Sequence, residues 1–215
     1  MNATLQLNGR LTFPVYHTTS SLFRDSILEY GLGGKNPIEE LKVLQALRQM
    51  LCYEKKHPLK EELWFYLEEM AQQQITAGSN WQHGQAYLTS SKRNARQHAG
   101  NKYGSELISE TLKLYTTLGC PKEFGSDEYP VLKLVGQTAS PLYVTISAVP
   151  LECLSGEKGE PINQVISLHE RVNESTKKEQ GEEFQAAWWL ELCPIKFRLL
   201  RPVKIQPEQI STTLC

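Results

Sequence analysis

One pattern occurs twice in this chain and constrains its fold more than any other feature. A short β-type run passes through serines into a capped helix. In the first copy, Leu11 to Tyr16 reads as a strand, and Pro14 within it marks an edge or irregular strand. His17, Thr18 and Thr19 follow as a turn. Ser20 or Ser21 then caps a helix on which Leu22, Phe23, Ile27 and Leu28 share a face, and Gly31 suits the residue that ends it. In the second copy, Gln85 to Thr89 reads as a short strand. Ser90 or Ser91 caps a helix holding Lys92, Arg93, Ala95, Arg96 and Ala99.

The segments around these units give the fold class. Asn36-Pro37 opens a helix with proline at its first position, and His57-Pro58 restarts the pattern. Leu41, Leu44, Leu47, Met50 and Leu51, then Leu63, Leu67 and Met70, form apolar stripes, so Pro37 to Ile75 reads as a packed helical hairpin. Thr76 to Gly84 reads as a loop and Ser105 to Gly119 as a helix. Pro141 to Val149 is dense in β-branched residues and reads as a strand. Ser155 to Asn163 reads as a polar loop, Glu170 to Glu183 as an exposed, mobile charged stretch, and Phe184 to Ile205 as two strands around Pro194. Strand and helices first, then strands, indicates an α+β fold rather than alternating βαβ units. No repeat is visible, and residues 1–215 read as a single domain with 37–75 inserted.

Composition excludes several classes. With a formal net charge of −1 and 22% charged residues, the chain is no strongly basic nucleic-acid binder. No stretch approaches a membrane span, and the N-terminus lacks a charged segment followed by an apolar signal core. Five cysteines, none close in sequence to another, suit a reduced cytoplasmic protein better than a disulfide scaffold. No Cys/His spacing reads as a metal site, and neither a Walker loop nor a strand–GxGxxG–helix unit is present.

The stretches "YHTTSSLFRDSILEYGL" and "AYLTSSKRNARQHA" resemble the first two motifs of the ADP-ribosyltransferase superfamily, in its histidine–tyrosine–glutamate branch. A third element lies within "GEEFQAAWWLEL". The resemblance implies a split β-sheet core with flanking helices and makes the hairpin an insertion. It also implies NAD as co-substrate, with no metal. In that reading His17 binds the adenosine-side ribose, and Thr18 offers its backbone to the nicotinamide carboxamide with Thr19 beside it. Tyr87 stacks on the nicotinamide ring, and Ser90 and Ser91 order the site. Glu183 binds the nicotinamide-side ribose and stabilises the oxocarbenium-like transition state. On a strand, Glu183 and Gln185 share a face that Glu182 opposes; Glu183 is preferred because it opens the run and is acidic. Many members carry glycine directly after the histidine, where this chain has Thr18.

The implied activity is NAD-dependent mono-ADP-ribosylation of a protein, RNA or DNA acceptor, in a microbial toxin or phage-defence setting where an antitoxin or inhibitor partner is common. Two other readings stand beside it. One is an RNA 2′-phosphotransferase-like enzyme. The other is a non-catalytic binding module acting through the hairpin and the Trp188-Trp189 pair. Lys92, Arg93 and Arg96 read as a solvated helix face. His83, His98 and His169 read as surface residues, and His57 as a helix-entry residue.

Overall fold

The computed structural model describes residues 4–57, 65–74, 85–180 and 186–213. A short ribbon of β1 (Gln6–Leu7) and β2 (Arg10–Leu11) precedes the main sheet. That sheet contains β3 (Val15–Ser20), β4 (Tyr87–Thr89), β5 (Pro141–Ile146), β6 (Leu154–Gly156), β7 (Lys196–Leu199) and β8 (Ile210–Ser211). Its order is β6-β7-β4-β3-β5-β8, with every neighbouring pair antiparallel. The α+β reading therefore holds at the level of a six-stranded antiparallel sheet with flanking helices.

The strand carrying His17 starts and ends four residues later than the expected Leu11–Tyr16, running from Val15 to Ser20. His17, Thr18 and Thr19 lie within β3 and not in a turn, because all six residues from Val15 to Ser20 pair with β5. The Ser20 side chain then accepts the Leu22 N–H and starts the helical segment leading into α1 (Arg24–Tyr30). Gly31 ends α1 at φ +83°, donating to the Ile27 carbonyl, and a Cβ there would stand 2.8 Å from the Val203 oxygen. Only glycine meets both conditions without strain.

The inserted segment forms α2 (Pro37–Glu40), α3 (Val43–Lys56) and α4 (Phe65–Ala71). Asn36 caps α2 through Oδ1, which accepts the Ile38 N–H. These helices pack on α6 (Glu106–Thr117) and on the turn Pro130–Leu134, building a second apolar core of Val43, Leu47, Met50, Leu107, Ile108 and Val131 among others. Residues 58–64, where the hairpin reading placed the restart of its second helix, lie outside the described residues.

Three expectations are corrected. Ser155 and Gly156 belong to β6 and pair with β7 rather than forming a loop. The charged stretch is helical as far as Gln180, in α7 (Ile162–Gln180). Its Ile166 is buried against the sheet core, and Glu, Lys and Gln are good helix formers. The apolar run after Phe184 forms α8 (Ala186–Leu192), not a strand. A short apolar run does not distinguish the two periods, and Ala, Leu and Glu favour helix. Strand begins only after Pro194, at Lys196.

Candidate active-site cleft

The hydrogen-bond parity of β3 and β4 creates the site. Ser21 N–H donates to the Ser140 carbonyl at 2.9 Å, so alternate residues from Ser21 back to Val15 bond toward β5. The backbone groups of Tyr16, Thr18 and Ser20 consequently face β4. On β4, Ser90 N–H donates to Ile195 at 3.0 Å and Leu199 N–H to Ala86 at 2.9 Å, which turns the backbone groups of Tyr87 and Thr89 toward β3. Tyr16 pairs with Thr89, and the same register would next join Thr18 to Tyr87. That second pair is not formed. The strands part there, and the Tyr87 carbonyl accepts from His17 Nδ1 at 2.7 Å.

This bond fixes the histidine's chemistry. A carbonyl only accepts, so Nδ1 carries the proton and, in the neutral ring, Nε2 is an acceptor. Burial lowers the His17 pKa; the Tyr87 carbonyl opposes the shift, and nearby His98 adds to it. The ring is therefore neutral at pH 7. The unfolded chain takes up this proton near the ordinary value of 6.5 and the folded chain does not, so His17 subtracts stability as pH falls below that value. Half-buried His169 acts with the same sign. We expect unfolding free energy to drop between pH 7.5 and 5.5, and His17→Gln to reduce that drop without abolishing it. An unchanged slope in denaturant titrations would contradict the assignment.

A cleft of about 510 Å³ opens along the parted strands. His17, Thr18, Thr19 and Tyr87 all line it. Comparisons with family models, curated proteins and solved structures return no match. Thr18 Oγ1 donates to the Ala95 carbonyl of α5 (Lys92–His98) at 2.8 Å, so its side chain is tied to the helix while its backbone faces the gap. Phe23, Ile27, Ile38 and Leu41 give the cleft apolar surface. The inserted helices thus form part of its wall. His98 and Glu106 also line it, as do Glu157 and Lys196. Sequence reasoning read His98 as a surface residue and passed over the other three, because only the folding of β6, β7 and the α5–α6 connection brings them to β3 and β4.

Ser90 and Ser91 are buried and absent from the cleft lining. Ser90 Oγ donates to the Leu190 carbonyl at 3.2 Å and accepts the Ile195 N–H at 2.9 Å, locking the α8–β7 connection onto β4. Ser91 caps α5 by accepting the Asn94 N–H and donates to Glu191 at 2.7 Å. The Glu191 carboxylate also accepts the Lys92 and Arg93 N–H groups at 2.8 and 3.2 Å. Burial alone would raise this carboxyl, but these bonds hold it below the usual carboxylate range. Its stabilising effect is present above the ordinary pKa of 4.5 and is lost as pH falls through the lowered value. Glu191→Ala is expected to cost roughly 1–2 kcal/mol in chemical unfolding at pH 7; an unchanged midpoint would deny it the capping role.

Glu182, Glu183 and Gln185 lie outside the described residues. The strand alternation that favoured Glu183 over its neighbours does not apply to the segment that follows, since Ala186–Leu192 is helical. The described cysteines Cys52, Cys120, Cys153 and Cys193 are unpaired. Among the described residues, no helix is long and apolar enough to cross a membrane.

Proposed function

We propose that the chain is an NAD-dependent mono-ADP-ribosyltransferase acting on a protein or nucleic-acid acceptor. The observation that carries this reading is the parting of β3 from β4 at Thr18 and Tyr87, with His17 set between them. An exposed peptide N–H and C=O at one position is the complement of a carboxamide, which offers one acceptor and one donor group. The backbone of Thr18 faces the gap in that way, so threonine serves there as glycine would. Neutral His17 offers an Nε2 acceptor suited to a ribose hydroxyl. Tyr87 lines the same cleft and supplies an aromatic face. The cleft's volume lies within the range of ligand pockets for molecules of this size.

Bound NAD supplies the reactive glycosidic bond; the chain's residues bind and orient it. Thr18 holds the carboxamide, Tyr87 restrains the ring, and His17 fixes the distal ribose. Glu183, from the resemblance, remains a candidate for the carboxylate. A toxin or defence role with an antitoxin partner belongs to the same proposal.

The direct test is to incubate the purified chain with labelled NAD and a cell lysate, then separate protein, RNA, DNA and free nicotinamide. Label in one macromolecular fraction supports the proposal and names the acceptor class. Failure to bind NAD removes it. Tyr87→Ala is expected to weaken NAD binding roughly tenfold, about 1.4 kcal/mol, in calorimetric titration; unchanged affinity would exclude the ring as a platform.

A further inference from the structure

Resting on the transferase reading above, we propose that Glu157 is the catalytic carboxylate that stabilises the developing ribosyl cation. Gly156 stands opposite Phe197 at the end of β6, and Glu157 opens the turn that follows, where its Oε1 meets Lys196 Nζ. Lys196 stands opposite Thr89, and Thr89 opposite Tyr16. Directly paired residues in an antiparallel sheet share a face, and residues two apart along a strand share it too. Lys196, Thr89 and Tyr87 therefore belong to one face, beside the point where β3 and β4 part, and the ion pair to Lys196 brings the Glu157 carboxylate to that face. Both Glu157 and Lys196 line the cleft.

The backbone around Glu157 is held in place. Gly156 N–H donates to the Glu160 carbonyl at 2.8 Å, Gly159 N–H to Gly156 at 3.0 Å, and Lys158 N–H to Glu160 Oε2 at 2.9 Å, closing a turn around Glu157. Lys196 Nζ reaches Glu157 Oε1 at 3.4 Å, with the two side chains 41% and 35% exposed. A pair this exposed contributes little to stability.

The other described carboxylates lining the cleft serve less well. Glu40 stands on α2 of the inserted helices rather than beside the strands that carry Tyr87 and Thr18. Glu106 opens α6, where desolvation first and then the neighbouring Glu110 raise its carboxyl, making it a poorer standing negative charge.

In the step, the bond between ribose C1′ and the pyridinium nitrogen breaks and its electron pair leaves on nicotinamide, which departs neutral. Positive charge spreads over C1′ and the ring oxygen. A lone pair from the acceptor (water, hydroxyl or amine) fills C1′, and the acceptor's proton passes to solvent. A fixed carboxylate beside C1′ lowers the barrier because its field acts only as charge develops.

The full chain carrying Glu157→Gln, Lys196→Met or Glu183→Gln would be compared with the unaltered chain for nicotinamide release from NAD, NAD affinity by calorimetry, and thermal unfolding. Glu157→Gln is expected to slow release by roughly a hundredfold or more, the scale of losing one electrostatic stabiliser. Its NAD affinity should stay within about threefold and its unfolding temperature unchanged, because the substitution conserves volume at a partly exposed site. Lys196→Met should retain release within about tenfold, since it leaves the carboxylate in place. Near-normal release by Glu157→Gln overturns the proposal, as does a loss in Lys196→Met as deep as that in Glu157→Gln. Collapse in Glu183→Gln with Glu157→Gln unaffected returns the role to Glu183. An unaltered chain that neither binds NAD nor releases nicotinamide fails at the earlier step and removes the transferase reading together with this assignment.

Discussion

Alanine at position 17 is expected to weaken NAD binding tenfold or more and to close the sheet at the same time. Two losses add. The first is the imidazole acceptor for a ribose hydroxyl, worth about 1 kcal/mol net. The second follows from the backbone. His17 Nδ1 takes the Tyr87 carbonyl at 2.7 Å, and this is what occupies the group that register would give to Thr18. Without the ring, the Tyr87 carbonyl loses the imidazole donor, and the nearest donor of matching register is the Thr18 N–H. Zipping that pair removes the gap, and ligand must then break it to enter. Amide hydrogen exchange reads this directly. In the unaltered chain the Thr18 amide should exchange faster than that of Thr19, whose backbone bonds toward β5; in His17→Ala it should become protected. Unchanged Thr18 exchange in the variant, with NAD affinity intact, would show that the histidine neither binds ligand nor holds the strands apart.

The legible parts of the sequence were those governed by local rules. Serines before Leu22 and Lys92, Asn36-Pro37 before α2, and Gly31 after α1 each satisfy backbone groups within a few residues, and the structure places each where local chemistry requires it. The β-branched run at Pro141 to Ile146 is strand because it packs against β3 with Leu142, Val144 and Ile146 inward. What was illegible depends on contacts between distant segments. Ala186–Leu192 is helix partly because its Glu191 and Leu190 meet the start of α5 and Ser90, roughly half the chain away. Of the candidate site, His17, Thr18, Thr19 and Tyr87 were readable because two local motifs carry them, and the structure brings them to one cleft. Glu157 and Lys196 had no local signature. Each is an ordinary charge in sequence, and their meeting is a product of strand order alone.

The same cleft depends on one glycine. Gly104 connects α5 to α6 at φ +76°, and a Cβ built there would lie 2.6 Å from the Ser20 nitrogen and 2.6 Å from Thr19 Oγ1. The nitrogen is backbone and has no rotamer to yield. It belongs to the strand whose parting from β4 forms the site. Gly104→Ala therefore carries two penalties, left-handed strain of about 1–3 kcal/mol and overpacking of about 1–3 kcal/mol. Relief of the clash pushes the α5–α6 connection away from Thr19 and so deforms the cleft as well. Gly136 separates these effects: its φ is +77° and nothing lies within 4 Å of a built Cβ, so Gly136→Ala carries the strain alone. Chemical unfolding should place Gly104→Ala below Gly136→Ala by about the overpacking cost. Only the Gly104 variant should lose NAD affinity, because only its Cβ reaches β3. Equal stabilities and equal affinities in the two variants would show that the connection moves aside without disturbing the strand, and that the close approach of Gly104 to Ser20 does not shape the cleft.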